Sequence, residues 1–82
     1  MTLHLTEADV ARLLTPADAV LAVEESFRRL AAGELTNVPR YRVRLQGGTL
    51  AVMSAADRSR RLACVKTYAA TADGASFVVV LF

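Results

Sequence analysis

Two hydrophobic rhythms divide the chain. Val20, Val23, Phe27, Leu30 and Ala31 fall at i, i+3, i+7, i+10 and i+11, the repeat of one helix face rather than of a strand. From Val38 the period becomes two: Tyr41, Val43 and Leu45 alternate with Arg40, Arg42 and Arg44, which predicts a strand with one apolar face. The apolar helical stripe is expected to face the core.

Local signals set the element ends. Thr6 followed by Glu7 and Asp9 predicts a capped short helix from about Glu7 to Leu14, because the hydroxyl accepts a first-turn N–H and acids suit the positive helix end. Thr15-Pro16-Ala17-Asp18 repeats the signal, with Thr15 as N-cap and Pro16 where no N–H is needed. Glu24 to Arg28 and Glu25 to Arg29 are i,i+4 pairs on the exposed side, and Gly33 supplies the stop. Gly47-Gly48 between two strand-like runs predicts a tight hairpin turn, with a return strand over about Leu50 to Ser54. Asp57-Arg58-Ser59-Arg60-Arg61 is a polar connection to a third strand, Leu62 to Ala69. Thr71-Ala72-Asp73-Gly74 is then a turn to a fourth, Ser76 to Phe82. The predicted class is α+β: two N-terminal helices, then an antiparallel sheet of about four strands.

The fourth strand lacks alternation. Phe77-Val78-Val79-Val80-Leu81-Phe82 therefore predicts a strand buried on both faces and central in its sheet. A strand of that kind at the chain's end would expose apolar surface and unpaired backbone, so a longer polypeptide or a partner chain is expected to cover it. Residues 1–82 are accordingly expected to be one incomplete domain.

Composition narrows the class. A chain of 82 residues with 54% hydrophobic and 22% charged residues is too apolar for a disordered tail. The final apolar run is far shorter than the roughly 20 residues of a membrane-spanning helix, and the N-terminus lacks a secretory pattern. No membrane partner and a cytoplasmic location are expected. Cys64 and His4 are each single, which leaves neither a disulfide nor a zinc set, and His4 offers no serine a catalytic base. Gly47-Gly48 leads into a strand, not a helix, so it forms no phosphate cradle.

The net charge of +2 comes from nine Arg and a single Lys against eight acids. Lys66, within the apolar run Leu62 to Tyr68, is either an edge-strand guard or a cation in a cleft. Arg40, Arg42 and Arg44 share a face and are either its solvated side or a source of one carboxylate ligand, since the guanidinium fork matches a carboxylate bidentately. One Arg beside Lys66 would make a carboxylate clamp, and spacing does not choose which Arg. Arg58, Arg60, Arg61 and the Arg40 to Arg44 row, with Tyr41 or Tyr68 for stacking, also permit a nucleic-acid patch. Such arginines beside Asp57 read more simply as a solvated loop, and no nucleic-acid partner is expected.

The order of several segments resembles the N-terminus of the ornithine cyclodeaminase/mu-crystallin family. These are Leu5 to Val10, Ala19 to Phe27, Gly33, Asn37-Val38-Pro39-Arg40, Gly47 to Met53 and Val65-Lys66-Thr67-Tyr68, with Val78 to Phe82 similar to the family's next strand. The resemblance implies the N-terminal part of a substrate-binding, homodimer-forming domain. A C-terminal segment normally completes that domain, with a Rossmann NAD(P) domain inserted between. It implies chemistry on an amino acid or cyclic imine with NAD or NADP, none of it bound by this piece alone, which would be inactive unaided. By the resemblance Arg40 is the carboxylate ligand, with Arg42 as fallback, and Lys66 is both a substrate ligand and the catalytic cation. Ser54 stands where the family commonly has Pro, and the loop after Tyr68 is shorter than in many members; both changes are expected on the pocket wall. The competing expectation is a stand-alone interaction module that pairs through its last strand.

Overall fold

The computed structural model describes residues 2–82. Helix α1 spans Glu7–Leu13 and α2 spans Pro16–Ala31, followed by strands β1 (Leu35–Leu45), β2 (Gly48–Asp57), β3 (Leu62–Thr71) and β4 (Gly74–Leu81). The strands form one antiparallel meander in the order β1-β2-β3-β4, as expected for the α+β class.

Both helices start where their caps predict. The Thr6 hydroxyl accepts from the Asp9 amide while Asp9 accepts from the Thr6 amide. Thr15 and Asp18 repeat this reciprocal pair at α2. Each box satisfies two backbone donors that have no partner within the helix. At the other end of α2, Gly33 sits at φ 77°, a conformation that lets the Glu34 amide reach the Arg29 carbonyl and the Gly33 amide that of Leu30. That closure turns the chain into β1.

The face that α2 turns to the sheet is not the predicted stripe. Ala22, Ser26 and Arg29 line the cavity between helix and sheet, whereas Val20 and Phe27 are each 65% exposed. The reason is in the anchor: Arg29 Nε donates to Asp57 Oδ2 at 2.7 Å, and the short Ala and Ser side chains allow the close approach that this contact requires. Periodicity defined a stripe but not what covers it. Arg58 adds a second tie, from its amide to the Glu34 carbonyl and from its guanidinium to the Gly33 carbonyl and the Thr36 hydroxyl. This structural role removes Arg58 from the suggested nucleic-acid patch.

The first hairpin turns on Gln46-Gly47, one residue earlier than the Gly-Gly reading. Leu45 pairs with Gly48, and Gly47 has φ 74°. Gly48 is instead a strand residue, and a Cβ there would run into the carbonyl of Ala70. A second irregularity lies in β1, where the register shifts between Val38 and Tyr41, so that Pro39 and Arg40 together oppose Met53. Proline cannot donate to a ladder and is tolerated in strands at bulges and edges; here it has both, because β1 is an edge strand.

Among the described strands β4 is the opposite edge rather than the centre. It pairs with β3 alone among the described strands, and its residues are exposed on both faces. Its run of β-branched residues reflects strand propensity rather than burial by these elements. Full burial is reached among the described residues only at Ala51, in the middle of β2.

Candidate functional site

Residues directly opposite across a ladder share a sheet face, and successive residues alternate. The register therefore assigns Arg42, Arg44, Met53, Lys66, Tyr68, Phe77 and Val79 to one face, the face that also carries Asp57 and α2 at its far end. Tyr41, Val43, Val52, Ser54, Val65, Val78 and Val80 lie on the other. The bulge brings Arg40 opposite Met53 on the first face, two residues before Arg42, so the three arginines keep a common side.

On that face Arg40 and Lys66 bracket an aromatic pair. Tyr68 and Phe77 are directly opposed across β3 and β4, with ring centroids 4.9 Å apart and planes tilted by 31°. The Arg40 guanidinium carbon lies 5.7 Å from the Tyr68 centroid, and Lys66 Nζ lies 5.7 Å from that of Phe77. Both distances are within cation–π range. Among the described residues neither cation forms an ion pair, in contrast to Arg12 with Asp9, Arg28 with Glu24 and Arg29 with Asp57. Two cations held on ring faces, without a carboxylate partner, have unused hydrogen-bond donors for an anion.

The two predicted site residues thus share a face, and Arg42 shares it too. Arg42 lies opposite Ala51, which lies opposite Tyr68, but it is Arg40 that reaches the ring. Ser54 contradicts the expected pocket wall, because its pairing with Val38 and Val65 turns it to the other side of the sheet. Phe77 is the participant that sequence reasoning passed over. Its position within an unbroken apolar run hid which of those residues would meet Tyr68, and only the β3–β4 register reveals it.

The far end of this face is chemically different. A cavity of about 290 Å³ lies under α2, lined in part by Ser26, Arg29, Asp57, Arg60 and Cys64. Its charges are mutually satisfied: Asp57 accepts from Arg29, the Ser59 hydroxyl and the Arg60 amide. Burial is the largest influence on this carboxyl and works to raise its pKa. The hydrogen bonds from Ser59, Arg60 and Arg29, with the Arg29 charge, together hold it below the ordinary carboxylate value.

This architecture has a solved counterpart. The chain is similar to an archaeal alanine dehydrogenase. That protein is a dimer with bound NAD, and the likeness has a TM-score of 0.83 at 25% identity over 94% of this chain. The chain spans about a quarter of the neighbour's length, 26% of it. A scan against protein-family models finds no match, and neither does a search of the curated proteins. The likeness to the alanine dehydrogenase supports, at a coarse level, a relation to NAD-binding amino-acid dehydrogenases.

The described elements do not fit a dinucleotide. They are a helix pair and an antiparallel meander, with no strand–turn–helix unit whose helix N-terminus could receive a pyrophosphate. Gly47 and Gly48 serve a hairpin and a close strand contact instead. What this face can do with its own residues is bind and orient an anion. Among the described residues, no helix is long and apolar enough to cross a membrane, and no group of His, Cys, Asp or Glu has metal-site geometry.

Proposed function

We propose that residues 1–82 form the N-terminal part of the substrate-binding and dimerisation domain of an NAD(P)-dependent enzyme of the ornithine cyclodeaminase/mu-crystallin type, acting on an amino acid or cyclic imine. The observation that carries this reading is the convergence of Arg40 and Lys66, both without acidic partners, on one face of a sheet that superposes on an NAD-bound alanine dehydrogenase. Arg40 supplies a planar fork to the substrate carboxylate, and Lys66 supplies a mobile point charge at the same group or at the reacting carbon's substituent. Their part in catalysis is orientation and electrostatics. The cofactor, NAD or NADP, is held by polypeptide outside these elements, so the 82 residues alone turn over no substrate. A cytoplasmic setting goes with this reading.

The same reading assigns the opposite face to a second copy of the chain. Tyr41, Val43, Val78 and Val80 are all exposed there, and the similar alanine dehydrogenase is a dimer. Titration of the chain with acetate, followed by two-dimensional NMR, tests the clamp. Shifts confined to Arg40, Lys66 and their neighbours are expected, and they should vanish in the double variant Arg40→Ala/Lys66→Ala. No acetate-dependent shift at these residues up to about 100 mM would sink the proposal.

The position of β4 favours one further reading, a module that pairs with a partner by strand addition. Its outer edge carries unpaired backbone groups beside exposed Val and Phe side chains. Amide exchange decides it: fast exchange at alternate residues of β4 in the isolated chain, slowed by the partner, is expected. Uniform protection without a partner would remove it.

A further inference from the structure

A clamp made of two long, flexible side chains binds only as well as those side chains are held. We infer that Tyr68 and Phe77 are positioning residues of the anion site: their stacked rings fix the Arg40 guanidinium and the Lys66 ammonium before a ligand arrives, and the methyl-sized Ala51 leaves Arg40 a path to its ring. The inference rests on the clamp proposed above and adds to it the residues that preorganise it.

Unrestrained Arg and Lys side chains sample many rotamers, and ordering them on binding costs affinity unless something orders them beforehand. Here the ordering element is a unit of two rings. Tyr68 and Phe77 oppose each other across β3 and β4 with centroids 4.9 Å apart, and an aromatic side chain turns on only two torsions. One cation lies at each ring, the Arg40 guanidinium carbon 5.7 Å from the Tyr68 centroid and Lys66 Nζ 5.7 Å from that of Phe77. Lys66 stands opposite Val79, one step along the same face from Phe77, so it meets the ring on the cross-strand diagonal, a separation that long side chains bridge. Arg40 has farther to go. Its strand is separated from that of Tyr68 by β2, two inter-strand spacings or about 10 Å in all, and the bulge sets Arg40 level with Met53 rather than with Ala51. The guanidinium therefore crosses β2 obliquely toward the row that holds Ala51 and Tyr68. Ala51 has no exposed surface, as befits a residue roofed by that crossing, and a side chain longer than a methyl there would stand in its way.

The test begins with the free 82-residue chain, by NMR. Nuclei above an aromatic face are shifted upfield by its ring current, so the Arg40 δ-methylene and the Lys66 ε-methylene signals should lie upfield of their random-coil positions. Tyr68→Leu should remove the shift chiefly from Arg40, Phe77→Leu chiefly from Lys66, and Ala51→Val from Arg40 alone. Titration with acetate then reads function. Tyr68→Leu and Phe77→Leu should each bind about two- to fivefold more weakly than the parent, whereas Tyr68→Phe and Phe77→Tyr should keep both the shifts and the affinity. A residue that only supported the fold would not sort its effects between the two cations in this way. Phe77 is 59% exposed, which makes its variants the safest for the fold, and amide spectra check every variant directly. Absent upfield shifts in the parent, or parental acetate affinity in Tyr68→Leu and Phe77→Leu, overturn the positioning role and leave the clamp standing. An undisturbed Arg40 signal in Ala51→Val overturns the path over β2. No acetate binding by the parent chain overturns the clamp and this inference with it.

Discussion

One sheet face carries two clusters of charge, and they differ in kind. Beneath α2, Arg29 and Asp57 meet at 2.7 Å with side chains 19% and 11% exposed, and Ser59 and the Arg60 amide saturate the carboxylate. At the other end, Arg40 and Lys66 rest on rings, exposed and without an acid. Charges that satisfy one another hold elements together, whereas charges left with free donors are available to something else. The first cluster explains how α2 is seated, and the second is where a ligand would be sought.

The largest effect should come from separating these roles. Arg29→Ala leaves the half-buried Asp57 without its cation and α2 without its anchor, so its loss in thermal unfolding should exceed that of Lys66→Ala, Thr15→Ala or Arg42→Ala. Acetate binding, measured at a temperature where the variant is still folded, should be unchanged. Equal damage to binding would mean that the clusters are not separate. The converse variant, Lys66→Ala, should weaken carboxylate binding about 10- to 100-fold, in line with hydrogen bonds to charged groups, while its melting midpoint stays within about 2 °C of the parent. A large drop in midpoint would assign Lys66 to the structure instead.

Smaller effects sharpen the contrast. Removing the α2 cap by Thr15→Ala should cost about 1 kcal/mol in urea unfolding, with no change in ligand response. Acid should act on the hydrogen-bonded carboxylates. The carboxyls of Asp57, Asp9 and Asp18 are all held below their ordinary value, the last two by hydrogen bonds from their capping threonines. A depressed folded pKa gives stability that is fully present above the unfolded value, about 3.9, and is lost as pH falls through the folded one. Melting midpoints should accordingly be flat from pH 7 to about 5 on account of these groups and decline below about 4. A decline that starts above pH 5 would point to other titrating groups. The smallest change is expected from Arg42→Ala, less than threefold in acetate affinity, because Arg40 rather than Arg42 reaches Tyr68. A loss as large as that of Arg40→Ala would restore Arg42 as the ligand.

What could be read from the chain follows from the range of the forces involved. The caps at Thr6 and Thr15 and the turn at Gly33 depend on residues within a few positions, and each was legible. The alternation after Arg40 likewise specified a strand with arginines on a single side. The seat of α2 depends on Arg29 meeting Asp57, 28 positions away, and no periodicity encodes that distance. Position within a sheet was equally hidden, since Val78, Val79 and Val80 favour extended backbone at an edge as well as at a centre. For the site, Lys66 stood out as an ion within apolar surroundings, and Arg40 emerged from family resemblance with Arg42 still open. The pairing of Tyr68 with Phe77, which gives the cations their common platform, belongs to register alone.

The extra residue at Pro39-Arg40 has a consequence for altering this chain. Ahead of it, Thr36 and Val38 sit on the side opposite the clamp; beyond it, Tyr41, Val43 and Leu45 do so, although the parity of their numbers has changed. The bulge is a phase shifter that absorbs one residue without rotating the segments on either side of it. Deleting Pro39 would leave every side chain of β1 facing the way it does now, whereas inserting one residue between Tyr41 and Leu45 would turn the remainder of the strand over. Length variation in β1 is therefore tolerable at one point and disruptive a few residues later.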